Sequence, residues 1–200
     1  MQEKELVIAT KNEGKVREFQ QMLSEKGWTV RSLLDFSVPD VVEDGKTFAE
    51  NAAKKAETIS KALGRLVIAD DSGLVVDALD GRPGVLSARY AGVEKDDIAN
   101  MEKVLAELRD VPPEKRTARF VCTIAVARPN RPTLFYEGVC EGMITRERIG
   151  NHGFGYDPIF YVPALGKTMA QLEPHEKNKW SHRAKALEAL LAHEREWNDE

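Results

Sequence analysis

Two adjacent carboxylates, Asp70 and Asp71, close the apolar run "LVIAD" and are followed at once by Ser72 and Gly73. An ionised carboxylate left alone in an apolar interior is costly or takes up a proton instead. The pair is therefore expected at a strand end, turned toward water, a metal ion or a cationic partner. Successive side chains of a strand point to opposite faces, so the two aspartates should not play identical roles. A second acidic turn holds Glu43 and Asp44. Such oxygen ligands suit Mg²⁺, which takes one or two carboxylates and completes its shell with water and substrate phosphates. For each turn taken singly, an acidic residue in a solvated loop is the competing explanation.

The stretch "TKNEGK" (10–15) places Thr10, Asn12, Gly14 and Lys15 between a strand and a helix. Backbone N–H groups and the helix dipole favour an anion there, and Lys15 adds a point charge. The spacing is not that of a Walker A loop, and a plain strand-to-helix turn is the alternative. "GNHGFGYD" runs G-x-x-G-x-G with no helix pattern after it, so it is not a dinucleotide fingerprint. It presents Phe154 and Tyr156 either for stacking or as local core anchors. His152, His175, His182 and His193 show no metal-ligand spacing, which argues against zinc. No nucleophile elbow of the G-x-S-x-G kind is present. A phosphatase of the haloacid dehalogenase type needs Asp at the second position after its nucleophile, where Ser72 follows Asp70 and Asp71.

The elements that must position these groups follow from periodicity. "ELVIAT" (5–10) reads as a buried strand, 16–27 as a helix with Val16, Phe19, Met22 and Leu23 on one face, and "WTVRSLLDF" (28–36) as a second strand. Thr47 and Glu50 have capping-box spacing, and Gly64 stops the helix between. "RLVIAD" and "GLVVDAL" read as two strands joined at the aspartates. An amphipathic helix is expected over 96–110, a hairpin around "RPNRP", and a terminal helix over 181–197. Alternating strands and helices without repeats or a long linker predict an α/β fold: one domain over 1–200, built on a mixed twisted sheet flanked by helices, bilobed with a central cleft for a ligand.

The chain has 200 residues and a formal net charge of −4, so no whole-molecule basic field draws nucleic acid or an anionic membrane. It has no apolar run long enough to span a bilayer and no signal-peptide pattern at its start, which predicts a cytoplasmic protein with no membrane partner. Cys122 and Cys140 flank "RPNRP" nearly symmetrically and are expected as buried free thiols, with a disulfide across the hairpin as the alternative.

Five blocks in order, "TKNEGK", "EDGKTFAENAAKKA", "IADDSGLVVDALDGRPGVLSARYAG", "GFGYDPIF" and "NKWSHRAKAL", resemble the non-canonical purine nucleoside triphosphate pyrophosphatases, the Ham1-like family, from about residue 5 to residue 192. The resemblance implies Mg²⁺-dependent cleavage of ITP, dITP or XTP to the monophosphate and pyrophosphate. It places Thr10, Asn12, Lys15 and Lys55 at the triphosphate. Glu43 and Asp71 fall at the metal, with Asp71 also the general base. Ser72, Phe154, Gly155, Tyr156, Asp157, Lys177, His182 and Arg183 fall at the substrate. Some relatives carry two glutamates where this chain reads Val42-Glu43, so ligation at that turn rests on Glu43 alone. A homodimer is also implied. The rival readings are a pyrophosphatase for other modified nucleotides, such as methylated pyrimidine triphosphates, and a purine-nucleotide sensor that does not hydrolyse.

Overall fold

The computed structural model describes residues 4–92 and 95–198. β1 (Lys4–Ile8), α1 (Glu13–Ser24) and β2 (Trp28–Ser32) form a unit in which the two strands run parallel, Leu6 opposite Val30. The chain then passes through α2 (Phe48–Leu63) into β3 (Val67–Val76), which lies on the other side of β1, also parallel, with Ile8 opposite Ile68. Beyond β3 come β4 (Thr117–Ala127), β5 (Leu134–Ile144), β6 (Phe160–Val162) and β7 (Lys167–Thr168). The order across the sheet is β2-β1-β3-β4-β5-β6-β7, and β6 is antiparallel to both β5 and β7. The remaining helices are α3 (Asp97–Glu107), α4 (Pro174–Trp180), α5 (His182–Ala192) and α6 (Glu194–Trp197). This is the mixed sheet with flanking helices that the sequence predicts.

The chain divides into two compact units. One comprises Met1–Asp71, Cys122–Gly138 and Ala186–Glu200; the other comprises Ser72–Val121 and Val139–Lys185. In the first, the pleat sends alternate residues of each strand to opposite faces. Leu6, Ile8, Ile68, Ile124 and Val126 pack with Phe19 and Leu23 of α1 and Leu187 and Leu190 of α5. Val7, Ala9, Val67, Ala69, Ala125 and Ala127 pack with Ala52, Ala56 and Ile59 of α2. With both faces covered, these strands read as continuous apolar runs. In the second unit, Leu74, Val76, Met101, Val104, Phe120, Tyr156 and Phe160 belong to one core cluster. Among the described residues no helix is long and apolar enough to cross a membrane. Cys122 and Cys140 are buried free thiols.

Several elements differ from the sequence reading; α1, for one, runs Glu13–Ser24 where 16–27 is expected. β3 does not break at the aspartates: it is one strand of ten residues with Asp70 and Asp71 in its middle, 1% and 8% exposed. Strand β2 stops at Ser32, whose hydroxyl accepts from the Leu34 amide and whose own amide donates to Asp35, opening a 3-10 turn. The terminal helix is interrupted at His193 between α5 and α6. Helix α4, which the sequence reading missed, begins with Pro174 at its first position and is braced by Glu176, which accepts from the Glu173 amide.

Candidate functional site

The pleat of β3 explains why its two aspartates differ. Asp70 shares the side of Ile68, and its carboxylate lies 3.2–3.3 Å from the Lys15 ammonium on α1 and 3.8 Å from the Cys122 thiol on β4. Asp71 shares the side of Ala69, and its Oδ2 accepts from the Asn51 amide of α2 at 3.0 Å. Lys15 is carried on the first turn of α1, where the Asn12 side chain caps the helix by accepting from the Lys15 amide at 3.1 Å. The Thr10 hydroxyl in turn accepts from the Asn12 amide at 3.1 Å, which fixes the turn between strand and helix.

Helix α2 brings in the second cation. Thr47 caps it and Gly64 ends it in the left-handed conformation, φ 65°, as its sequence predicts. The Lys55 ammonium donates to the Asp70 carbonyl at 2.6 Å and pairs with Glu43 at 2.5 Å. Burial pulls Lys55 down, but the charges of Asp70, Glu43 and Asp71 outweigh it and hold the ammonium above its ordinary range. The opposite balance holds at Asp71. Burial lifts its pKa from 3.8 to about 6, against the lowering pull of Lys55, Lys15 and Asn51, and the neighbouring charge of Glu43 adds to the rise. Glu43 and Asp71 are thus two interacting carboxylates in a field of lysines. Among the described residues no group of three or more His, Cys, Asp or Glu forms a metal cage. Two hard oxygen donors fit Mg²⁺, which draws the rest of its shell from water and phosphate.

In the second unit, the loop before β6 is held by its own aspartate. Asp157, 3% exposed, accepts from the Phe154 amide at 3.1 Å and pairs with the buried Lys177 ammonium at 2.7 Å. The Gly155 amide donates to Asp97 at 2.9 Å. Tyr156 is a core anchor, its hydroxyl donating to the Ser87 carbonyl at 2.6 Å. The face of Phe154 lies 4.5 Å from the Lys177 ammonium and 5.5 Å from the Arg183 guanidinium. Arg183 also donates to the Ser72 hydroxyl at 3.1 Å, and His182 stacks on Phe120 at 4.7 Å. Ser181, immediately before them, caps α5 by accepting from the Ala184 amide at 3.0 Å.

The structure therefore assembles Thr10, Asn12, Lys15, Glu43, Lys55 and Asp71 in one unit, and Ser72, Phe154, Gly155, Tyr156, Asp157, Lys177, His182 and Arg183 in the other. The sequence reading missed Asn51. The signal for Asn51 was a polar residue on the buried face of α2, one helical turn before Lys55 and two before Ile59.

Comparison with known proteins extends these observations. The model of the Ham1 family matches residues 6–193. A dITP/XTP pyrophosphatase of Geobacillus kaustophilus is 62% identical, aligned over 94% of this chain and 92% of its own length. One from Halalkalibacterium halodurans is 60% identical over 94% of this chain and 97% of its own. The solved structure of a HAM1 protein from Coxiella burnetii superposes with a TM-score of 0.87 at 44% identity, covering 96% of this chain and 99% of that one.

Proposed function

The chain belongs to the Ham1 family, and from that membership we propose that it hydrolyses non-canonical purine nucleoside triphosphates, ITP, dITP and XTP, to the monophosphate and pyrophosphate, clearing them from the nucleotide pool. The observation that carries this reading is the buried Asp71, whose pKa is lifted to about 6 beside Lys15 and Lys55. A carboxylate in that range is ionised at neutral pH yet basic enough to take a proton from water.

In the proposed reaction Asp71 accepts the proton of the water that attacks the α-phosphorus, and the bond to the bridging oxygen breaks so that pyrophosphate departs. Lys15 and Lys55, with Thr10 and Asn12 at the head of α1, hold the phosphate oxygens and offset their charge. Glu43 and Asp71 would hold Mg²⁺, which when bound neutralises phosphate charge and lowers the pKa of its water. Phe154 offers a face to the base, and Lys177, Arg183 and His182 offer donors. Hypoxanthine and xanthine present a 6-oxo acceptor where adenine presents an amino group, and Lys and Arg can only donate. A site built on such donors can reject the analogue lacking the acceptor by about 10⁴ to 10⁵.

The family resemblance further supports a cytoplasmic homodimer, which light scattering on the purified protein would report as twice the 22.4 kDa chain mass. The decisive assay is pyrophosphate release from ITP, dITP, XTP, GTP, ATP and CTP, with Mg²⁺ and with a chelator. Release from ITP and XTP that needs Mg²⁺ and exceeds that from ATP by orders of magnitude is expected. Equal rates on ITP and ATP, or no pyrophosphate above the enzyme-free control, would overturn the reading.

A further inference from the structure

Asn51 is 2% exposed in the second turn of α2, a poor place for an amide unless it is fully bonded. Its two ends serve different partners. Oδ1 accepts from the Gly45 amide at 2.7 Å, and Nδ2 donates to Asp71 Oδ2 at 3.0 Å. A backbone N–H can only donate and a carboxylate oxygen accepts, so the amide has one orientation that satisfies both. Asn51 therefore ties the acidic turn, two residues after Glu43, to the carboxylate on β3.

The turn is fastened to α2 at other points as well. The Lys46 amide donates to Glu50 at 2.8 Å, and Lys54 pairs with Asp44 at 2.7 Å. Gly45 lies so close that a Cβ there would come within 2.7 Å of Asn51 Oδ1 and 2.9 Å of the Glu50 Cβ. Glu43 and Asp71 repel each other, since the charge of Glu43 raises Asp71. Something must hold them at a fixed separation before a cation arrives, and an ordered pair binds a small divalent ion at lower entropic cost than a loose one.

We propose that Asn51 is a positioning residue for the divalent cation: it presets the Glu43–Asp71 pair, and Gly45 is the residue that lets the turn seat on it. The inference rests on the reading of Glu43 and Asp71 as the metal pair.

The test is Mn²⁺ binding without nucleotide, followed by water-proton relaxation, for the wild type, Asn51→Ala, Gly45→Ala and Glu43→Gln, each checked for native circular dichroism. Asn51→Ala and Gly45→Ala are expected to weaken Mn²⁺ at least fivefold. In turnover they should raise the Mg²⁺ concentration for half-maximal rate by about the same factor, with the ITP KM at saturating Mg²⁺ within threefold of wild type. A residue that only supports the fold would lower the melting temperature and kcat without moving the metal requirement. If Glu43→Gln leaves Mn²⁺ binding unchanged, the metal pair itself is wrong and the inference falls with it. If Glu43→Gln weakens Mn²⁺ while both Asn51→Ala and Gly45→Ala bind it as wild type does, the role of Asn51 alone is overturned.

Discussion

A carboxylate whose pKa is lifted from 3.8 to about 6 on folding is one whose charge the native state disfavours. Below the unfolded value both states hold the proton and Asp71 contributes no penalty. Between the two values the native state keeps a proton that the unfolded chain releases, so stability falls as pH rises. Above about 6 the full penalty is present, corresponding to up to about 3 kcal/mol. Asp71→Asn removes the charge while keeping an acceptor for Asn51. Without metal the variant should melt above the wild type at pH 8, and the gain should vanish near pH 4. Its turnover should meanwhile fall by about 10² to 10⁴, the usual loss with a general base. Thermal melts at the two pH values and a rate assay check both halves. A variant no more stable than wild type at pH 8 would mean that burial is not what holds Asp71 up.

At the scale of elements, the caps of α2 were legible because they are local: Thr47 and Gly64 bound one helix, although the Glu50 carboxylate accepts from the Lys46 amide and does not close a box on Thr47. The course of β3 was not. Two carboxylates in a row read as a strand end only while their partners are unknown, and those partners lie 55 and 20 positions away, at Lys15 and Asn51. The proposed base-side role of Lys177, His182 and Arg183 rests on the family motifs alone, since by themselves these residues read as the approach to a helix. The glycines of the loop at 150–156 can be ranked by structure where sequence ranks them alike. Gly153 and Gly155 both have positive φ, +74° and +62°, but a Cβ on Gly153 runs into the Asp157 carboxylate while one on Gly155 meets nothing within 4 Å. Gly153→Ala should therefore disturb the Asp157–Lys177 pair and raise the ITP KM about tenfold or more, beyond the backbone strain of about 1–2 kcal/mol that both variants bear. Gly155→Ala should raise KM at most threefold. Steady-state kinetics on the two variants decide it, and equal effects would show that strain alone matters.

At the scale of the whole molecule, the chain passes between its two units four times, at 71/72, 121/122, 138/139 and 185/186. Every passage lies inside a regular element, in β3, β4, β5 and α5 respectively, and none lies in a linker. A strand cannot melt at one end and keep its ladder at the other without stranding backbone donors and acceptors. Hydrogen exchange should therefore give the ladder-bonded amides in the two halves of β3 the same opening free energy. Urea unfolding followed through the Trp28–Trp197 pair, whose rings lie 5.1 Å apart, should share its midpoint with far-UV circular dichroism. Two separated transitions would show that the units open independently. The same threading bears on inheritance. Neither unit corresponds to an unbroken stretch of coding sequence, and a recombination at any of the four passages would join half a strand or half a helix to a foreign remainder. The Asp71–Ser72 peptide bond, which joins the proposed catalytic carboxylate to the first residue of the other unit, is one of those four places, so the two sets of site residues can change together by point substitution but cannot be traded as modules.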